Sequence, residues 1–243
     1  MEETQKRKKV ALIFWGLTRG LKYTKNSINE NIINVLIQNG YDYEIFLHTY
    51  FFKGTYSNIR HGIHNMKLDF NEYKILNPQN VLIDDQDRVK ETLNLEEYRN
   101  QADHFKNNYE SNDNYIISLY SQMQVTRLFE QKKKQFHYCI FLRPDVIFED
   151  KLDIKWLRQL RDGEMVIPAN DSVRYKSDLI SVNDRFCICK PNDAYKYGEV
   201  FRYLLEYSKN TSIIAETFLG HILKEKFSIK VKLIIYYFTP LRI

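Results

Sequence analysis

The chain has 243 residues, 44% hydrophobic, 28% charged and 14% aromatic, ordinary globular values that exclude a disordered chain, a coiled coil and a collagen-like fibre. Its 36 Lys and Arg against 31 Asp and Glu leave a net charge of +5, milder and less concentrated than nucleic-acid binders carry and equally suited to an anionic small molecule. No apolar run approaches the ~20 residues of a membrane span, and the charged start followed by the short apolar run 10–15 does not read as a signal peptide.

In chain order, residues 1–9 read as a basic solvated tail. The continuous apolar run 10–15, halted by Gly16, predicts a strand buried on both faces, as in parallel α/β sheets. The turn 16–20 follows, then a helix over 24–38 with Ile28, Ile32, Val35 and Leu36 at helical spacing and Asn39-Gly40 as its stop. A strand over 43–50 completes a βαβ unit with a right-handed crossover. Residues 51–110 are less regular, with a short strand at 81–83 and a polar loop running through Asn107 to Asn114.

The second half opens with a helix over 116–133 and a strand over 138–142, interrupted by Arg143-Pro144-Asp145 and resuming at 146–148. A short helix at 156–160, strands at 165–168 and 185–189, helices over 192–207 and 214–224, and a strand over 229–238 complete it. Without repeats or a Pro/Gly-rich linker, residues 10–243 read as one α/β domain, a mostly parallel sheet flanked by helices. Three cysteines, Cys139, Cys187 and Cys189, cannot form a full disulfide set and offer no CxxC pair for zinc, so they point to the cytoplasm and a buried strand face.

Four stretches combine polar groups with strand ends. Gly16 lets a ligand approach the backbone, and Arg19 can pair with phosphate oxygens. No Gly-Lys-Ser/Thr follows, which disfavours a P-loop nucleotidase or a nucleotidyltransferase. His48-Thr49 ends the second strand, where ligands gather in open α/β sheets. Asp145, in Arg143-Pro144-Asp145, sits between two apolar segments, where an acid needs a cation or hydrogen bonds. Asp184, between Asn183 and Arg185, and Glu216 are the carboxylates suited to take a proton from a hydroxyl. The bland alternatives are a structural turn, a core histidine, an Arg–Asp pair and a helix-start acid favoured by the dipole.

Taken in order, Gly16-x-x-Arg19, residues 45–50 ending in His48-Thr49-Tyr50, Tyr120-Ser121-Gln122, Leu142-Arg143-Pro144-Asp145, Ile167-Pro168, Asn183-Asp184-Arg185-Phe186 and Glu216 resemble glycosyltransferases of the GT-A fold from bacterial polysaccharide loci and large DNA viruses. The resemblance runs from about Val10 to Leu223 and implies a nucleoside diphosphate sugar donor and a saccharide acceptor in glycan biosynthesis. It places Gly16, Arg19, His48, Thr49, Gln122, Arg143 and Asp145 at the donor, Asn183 and Arg185 at the acceptor, and Asp184 and Glu216 in catalysis. It also implies Mn²⁺ or Mg²⁺ on Asp145, the last acid of an Asp-x-Asp motif. Arg143, however, stands where the first Asp would be. That departure either opposes metal binding or itself neutralises the diphosphate, and it leaves room for a second reading, a glycan- or nucleotide-binding protein without catalysis. The cytoplasm is the expected location (the host's, for a viral chain), with work beside a membrane on a lipid-linked acceptor compatible with it.

Overall fold

A computed structural model of the chain describes residues 7–58, 62–175 and 178–242; positions 1–6 of the expected basic tail lie outside them. Strand β1 (Lys9–Trp15) is apolar at every position after Lys9 because both of its faces are covered. Ala11, Ile13 and Trp15 enter one core, whereas Val10, Leu12 and Phe14 enter the other. All six are between 0% and 2% exposed, each worth about 1.5–3 kcal/mol of burial for a large side chain and less for Ala11.

After β1, α1 (Leu21–Ile28), a π-helical segment (Asn29–Ile33) and α2 (Asn34–Gln38) run on without a break, and a turn at 39–41 leads into β2 (Asp42–Phe51). Then come β3 (Tyr56–Asn58), β4 (Ile63–Met66), β5 (Asn80–Asp85), α3 (Gln86–Leu93) and the long α4 (Glu110–Glu130). The second half holds β6 (Tyr138–Leu142), β7 (Val146–Phe148), α5 (Ile154–Arg158), β8 (Glu164–Pro168), β9 (Val173–Tyr175), β10 (Asp178–Ser181) and β11 (Phe186–Cys189). It ends with α6 (Ala194–Gly198), α7 (Leu204–Ser208), α8 (Ala215–Glu225), β12 (Lys230–Ile234) and β13 (Phe238–Pro240).

Seven strands form the central sheet in the order β12-β8-β11-β6-β1-β2-β5. Every neighbouring pair is parallel except the two made by β11. The fold is therefore α/β with a mostly parallel sheet, and helices cover both faces. The carboxyl ends of β1, β2, β5, β6 and β8 share one edge, and antiparallel β11 enters the sheet from that edge, with Phe186 beside Leu142. No helix among the described residues is long and apolar enough to cross a membrane.

Several boundaries differ from the sequence expectation. Helix α1 starts at Leu21 because Glu72, far along the chain, accepts from the Gly20 and Lys22 N–H groups, both at 2.9 Å, replacing a local cap. Helix α4 starts at Glu110, inside the expected polar loop. Asp103 collects the N–H groups of Phe105, Asn107 and Tyr109 and closes that loop early, and Asp113 pairs with Arg99 at 2.8 Å. The expected helix over 192–207 breaks at Gly198, where a Cβ would run into the Thr126 side chain on α4. The expected last strand splits: β12 ends the sheet, while β13 leaves it to pair with β7, Phe238 beside Phe148. The pairs β3–β4 and β9–β10 and helix α3, capped by Asp85, were not foreseen. Cys139, Cys187 and Cys189 are free, buried and turned into one core.

Candidate functional site

A cleft of about 300 Å³ opens at the carboxyl edge of the sheet, and Gly16, Arg19, Arg143, Asp145, Asp184, Arg185 and Glu216 all line it. Sequence separations of up to 200 residues collapse into one site because β1, β6 and β11 are adjacent strands. Gly16 floors the cleft at φ +93° with open space where a Cβ would project, and its N–H donates to Ser121 Oγ at 2.8 Å. A glycine suits that left-handed backbone.

The Arg143-Pro144-Asp145 corner is where the chain leaves the sheet for β7. It is pinned from several sides. Thr24 Oγ1 donates to the Pro144 carbonyl at 2.7 Å, Leu241 N to the Asp145 carbonyl at 2.7 Å, and Arg143 N to the Arg185 carbonyl at 3.2 Å. Arg143 grips both oxygens of its neighbour's carboxylate, Nε to Oδ1 at 2.9 Å and Nη2 to Oδ2 at 2.7 Å. Arg19 Nη2 approaches the same Oδ2 at 3.7 Å, with its guanidinium 4.5 Å from the centre of the Tyr56 ring. Burial alone raises the Asp145 carboxyl, but Arg143 and then Arg19 outweigh it and hold the group below the usual carboxylate range. Burial also lowers Arg19, with Asp145 opposing; a guanidinium stays charged regardless. Arg19 Nη1 is buried with no hydrogen-bond partner among the described residues.

The other end of the cleft carries the carboxylates. Arg185 spans them, with Nη1 2.7 Å from Asp171 and 3.7 Å from Asp184, and Nη2 3.7 Å from Glu216. Glu216 sits in the first turn of α8. Burial and then the Asp184 charge raise it above the usual glutamate range, against the pull of Arg185. Asp184 Oδ1, the oxygen 3.7 Å from Arg185, is buried without a hydrogen-bond partner among the described residues. An orphaned donor at one end and an orphaned acceptor at the other are what an anionic ligand and a hydroxyl would satisfy.

Four expected site residues lie behind the cleft wall. Asn183 is fully buried and shapes the turn: its side chain accepts from Arg185 N at 2.9 Å and donates to the Asn170 carbonyl at 3.0 Å. Thr49 and Gln122 are likewise buried. His48 is 0% exposed, with Nδ1 2.7 Å from Ser121 Oγ and Nε2 3.1 Å from Asp84 Oδ2. It reaches the cleft indirectly, through Ser121 and the Gly16 N–H and through the Tyr50 ring, 4.9 Å away between centres.

Burial depresses His48 despite the opposing pull of Asp84. The unfolded chain therefore takes up a proton near ~6.5 that the folded chain refuses, so stability falls as pH drops below that value. We expect thermal unfolding to show this acid loss as pH falls below about 6.5, and a His48→Gln variant to lack it. An unchanged profile in the variant would refute the assignment. Asp84, held below the usual range first by its hydrogen bond from His48, adds a separate loss only below its ordinary value.

Tyr56, Tyr115 and Arg242 also line the cleft and carried no sequence signal. Tyr56 lies in the β3–β4 pair, and Arg242 arrives through the β13–β7 pairing.

The donor set does not fit a divalent cation. Hard cations take six or more oxygens, usually including free carboxylates. Asp145 has both oxygens on Arg143, and among the described residues no group of three or more His, Cys, Asp or Glu is arranged to hold a metal ion.

No family model matches the chain, and neither does any curated protein. Solved structures resemble it loosely. Mouse xyloside xylosyltransferase 1 in its apo form superposes with a TM-score of 0.44 at 9% identity, over 93% of this chain and 85% of that one. A glycosyltransferase involved in glycosylating the major capsid of PBCV-1 gives 0.43 at 7% identity, over 93% and 81%. The apo WbbM bifunctional glycosyltransferase gives 0.37 at 12% identity, over 96% of this chain and 40% of its own. At this level the chemistry of the cleft rests on this chain's own residues.

Proposed function

We propose that the chain is a GT-A-like glycosyltransferase that moves a sugar from a nucleoside diphosphate donor to a saccharide acceptor. One observation carries the reading: a single cleft faces the arginine pair Arg19 and Arg143 with the carboxylates Asp184 and Glu216. The arginines suit the diphosphate, and charge that builds on the leaving group meets preorganised donors there. For a direct displacement, Glu216 takes the proton of the acceptor hydroxyl. The hydroxyl oxygen bonds the anomeric carbon, and the bond to the β-phosphate oxygen breaks with its electron pair on the departing diphosphate. Glu216 is favoured over Asp184 as base because its raised affinity for a proton brings it nearer to the working pH.

The test is a panel of nucleotide sugars with saccharide acceptors, read as donor consumption and product mass. At least one donor should be consumed. Failure to bind any nucleotide sugar overturns the proposal. Donor binding without turnover selects a non-catalytic binding protein, a reading favoured by the full occupation of the Asp145 carboxylate by Arg143.

A further inference from the structure

We infer that this cleft binds a diphosphate through guanidinium groups alone, without a divalent cation, and that Asp145 is the buried counter-ion that aligns those groups. The inference rests on the donor-site reading only for the identity of the natural ligand.

The charges decide the sign of the ligand. Arg143 and Arg19 share one carboxylate, which leaves an excess positive charge. The charge of Arg242 also acts on Arg19 and Asp145, and that of Asp184 acts on Arg143. A dication placed on Asp145 would sit against two guanidiniums a few ångströms away. An anion meets the opposite situation, attraction from both guanidiniums.

The geometry points the same way. The Asp145 side chain is 3% exposed and Arg19 is 9% exposed, so neither is a loose surface group. Arg143 spends its Nε and Nη2 on Asp145, and Arg19 offers Nη1, buried and without a hydrogen-bond partner among the described residues. An unpartnered guanidinium nitrogen in a cleft wall is costly to leave dry. A phosphate oxygen satisfies it, and the planar fork of arginine matches that ligand. Tyr56 under Arg19 fixes the plane of the fork. Arg143 therefore stands in for the missing acid of the Asp-x-Asp pattern by reversing its sign: the positive charge that a bound metal would supply is built into the chain.

The experiment titrates the full chain with inorganic pyrophosphate by calorimetry, in EDTA and again in excess Mn²⁺. Binding in EDTA is expected, with no gain in affinity from Mn²⁺. Arg19→Ala should weaken it at least tenfold, and Arg19→Lys, which keeps charge but loses the fork, should weaken it measurably less. Binding only in the presence of Mn²⁺ overturns the inference, as does an Arg19→Ala variant that binds like the parent. A Mn²⁺ titration followed by electron paramagnetic resonance gives a second readout: protein-bound Mn²⁺ that disappears in Asp145→Asn also overturns it. The two proposals fail separately. Pyrophosphate binding in EDTA with no sugar transfer defeats only the glycosyltransferase reading, whereas sugar transfer that requires Mn²⁺ defeats only this one.

Discussion

Changing Glu216 to Gln is expected to slow sugar transfer by about 10²–10⁴-fold while donor affinity stays within a few-fold of the parent. Gln keeps the length of the side chain and its place in the first turn of α8 but cannot accept a proton. The loss should therefore fall on kcat at saturating donor. The pH profile sharpens the assignment. Burial and the Asp184 charge hold Glu216 above the usual glutamate range, so the acid limb of kcat/KM should lie above ~4.3. Asp184→Asn removes the like charge, drops the Glu216 value and moves that limb to lower pH. If Asp184 were the base, the pattern would invert, with Asp184→Asn nearly dead and Glu216→Gln nearly normal. Initial rates for the two variants across pH decide between them.

The sheet was legible in the sequence because burial on both faces produces uninterrupted apolar runs. Strands β1, β6 and β8 could be read that way, as could β2 despite His48 and Thr49, which lie within it. Where an element depends on a distant partner, local pattern failed. The start of α1 needs Glu72 from fifty residues away. The glycine that ends α6 answers to Thr126 on α4, which leaves no room for a side chain at 198. The split between β12 and β13 depends on β7 offering a pairing edge outside the central sheet. Polar residues also misled: Asn112 and Asp113 look like loop residues, yet Asn112 is buried and Asp113 is held by Arg99.

The cleft was legible for a related reason. Residues at strand ends converge whenever their strands are neighbours at one edge, so Gly16, Arg143 and Arg185 meet without any local signal of contact. What sequence could not separate was wall from backing. His48 and Arg19 both follow apolar strands, but the His48 ring turns onto Ser121 and Asp84 and vanishes from the surface, while Arg19 turns into the cleft. Arg143 and Asp145 could be read as neighbours; their bidentate pairing, which decides whether a cation is welcome, depends on the bend that Pro144 and the Thr24 and Leu241 hydrogen bonds impose.

That pairing makes Asp145→Asn the substitution with the largest expected cost to stability. Removing one member of a buried ion pair leaves the other charge uncompensated, about 3–5 kcal/mol for fully buried pairs. The Arg143 side chain keeps 23% exposure, so the lower end, about 3 kcal/mol, applies. Urea unfolding should show the midpoint falling with an unchanged slope. Asn retains an acceptor for Arg143 Nε, so the corner keeps its shape and the loss is mainly electrostatic. Pyrophosphate can then supply the missing negative charge. Its stabilising shift in melting temperature should be larger in Asp145→Asn than in the parent, in EDTA and in excess Mn²⁺ alike, because the native state of the variant holds guanidiniums that no carboxylate neutralises. A carboxylate whose task was to carry a metal to the diphosphate demands the reverse, a shift that shrinks or disappears on its loss. The sign of that single difference separates a counter-ion from a metal ligand.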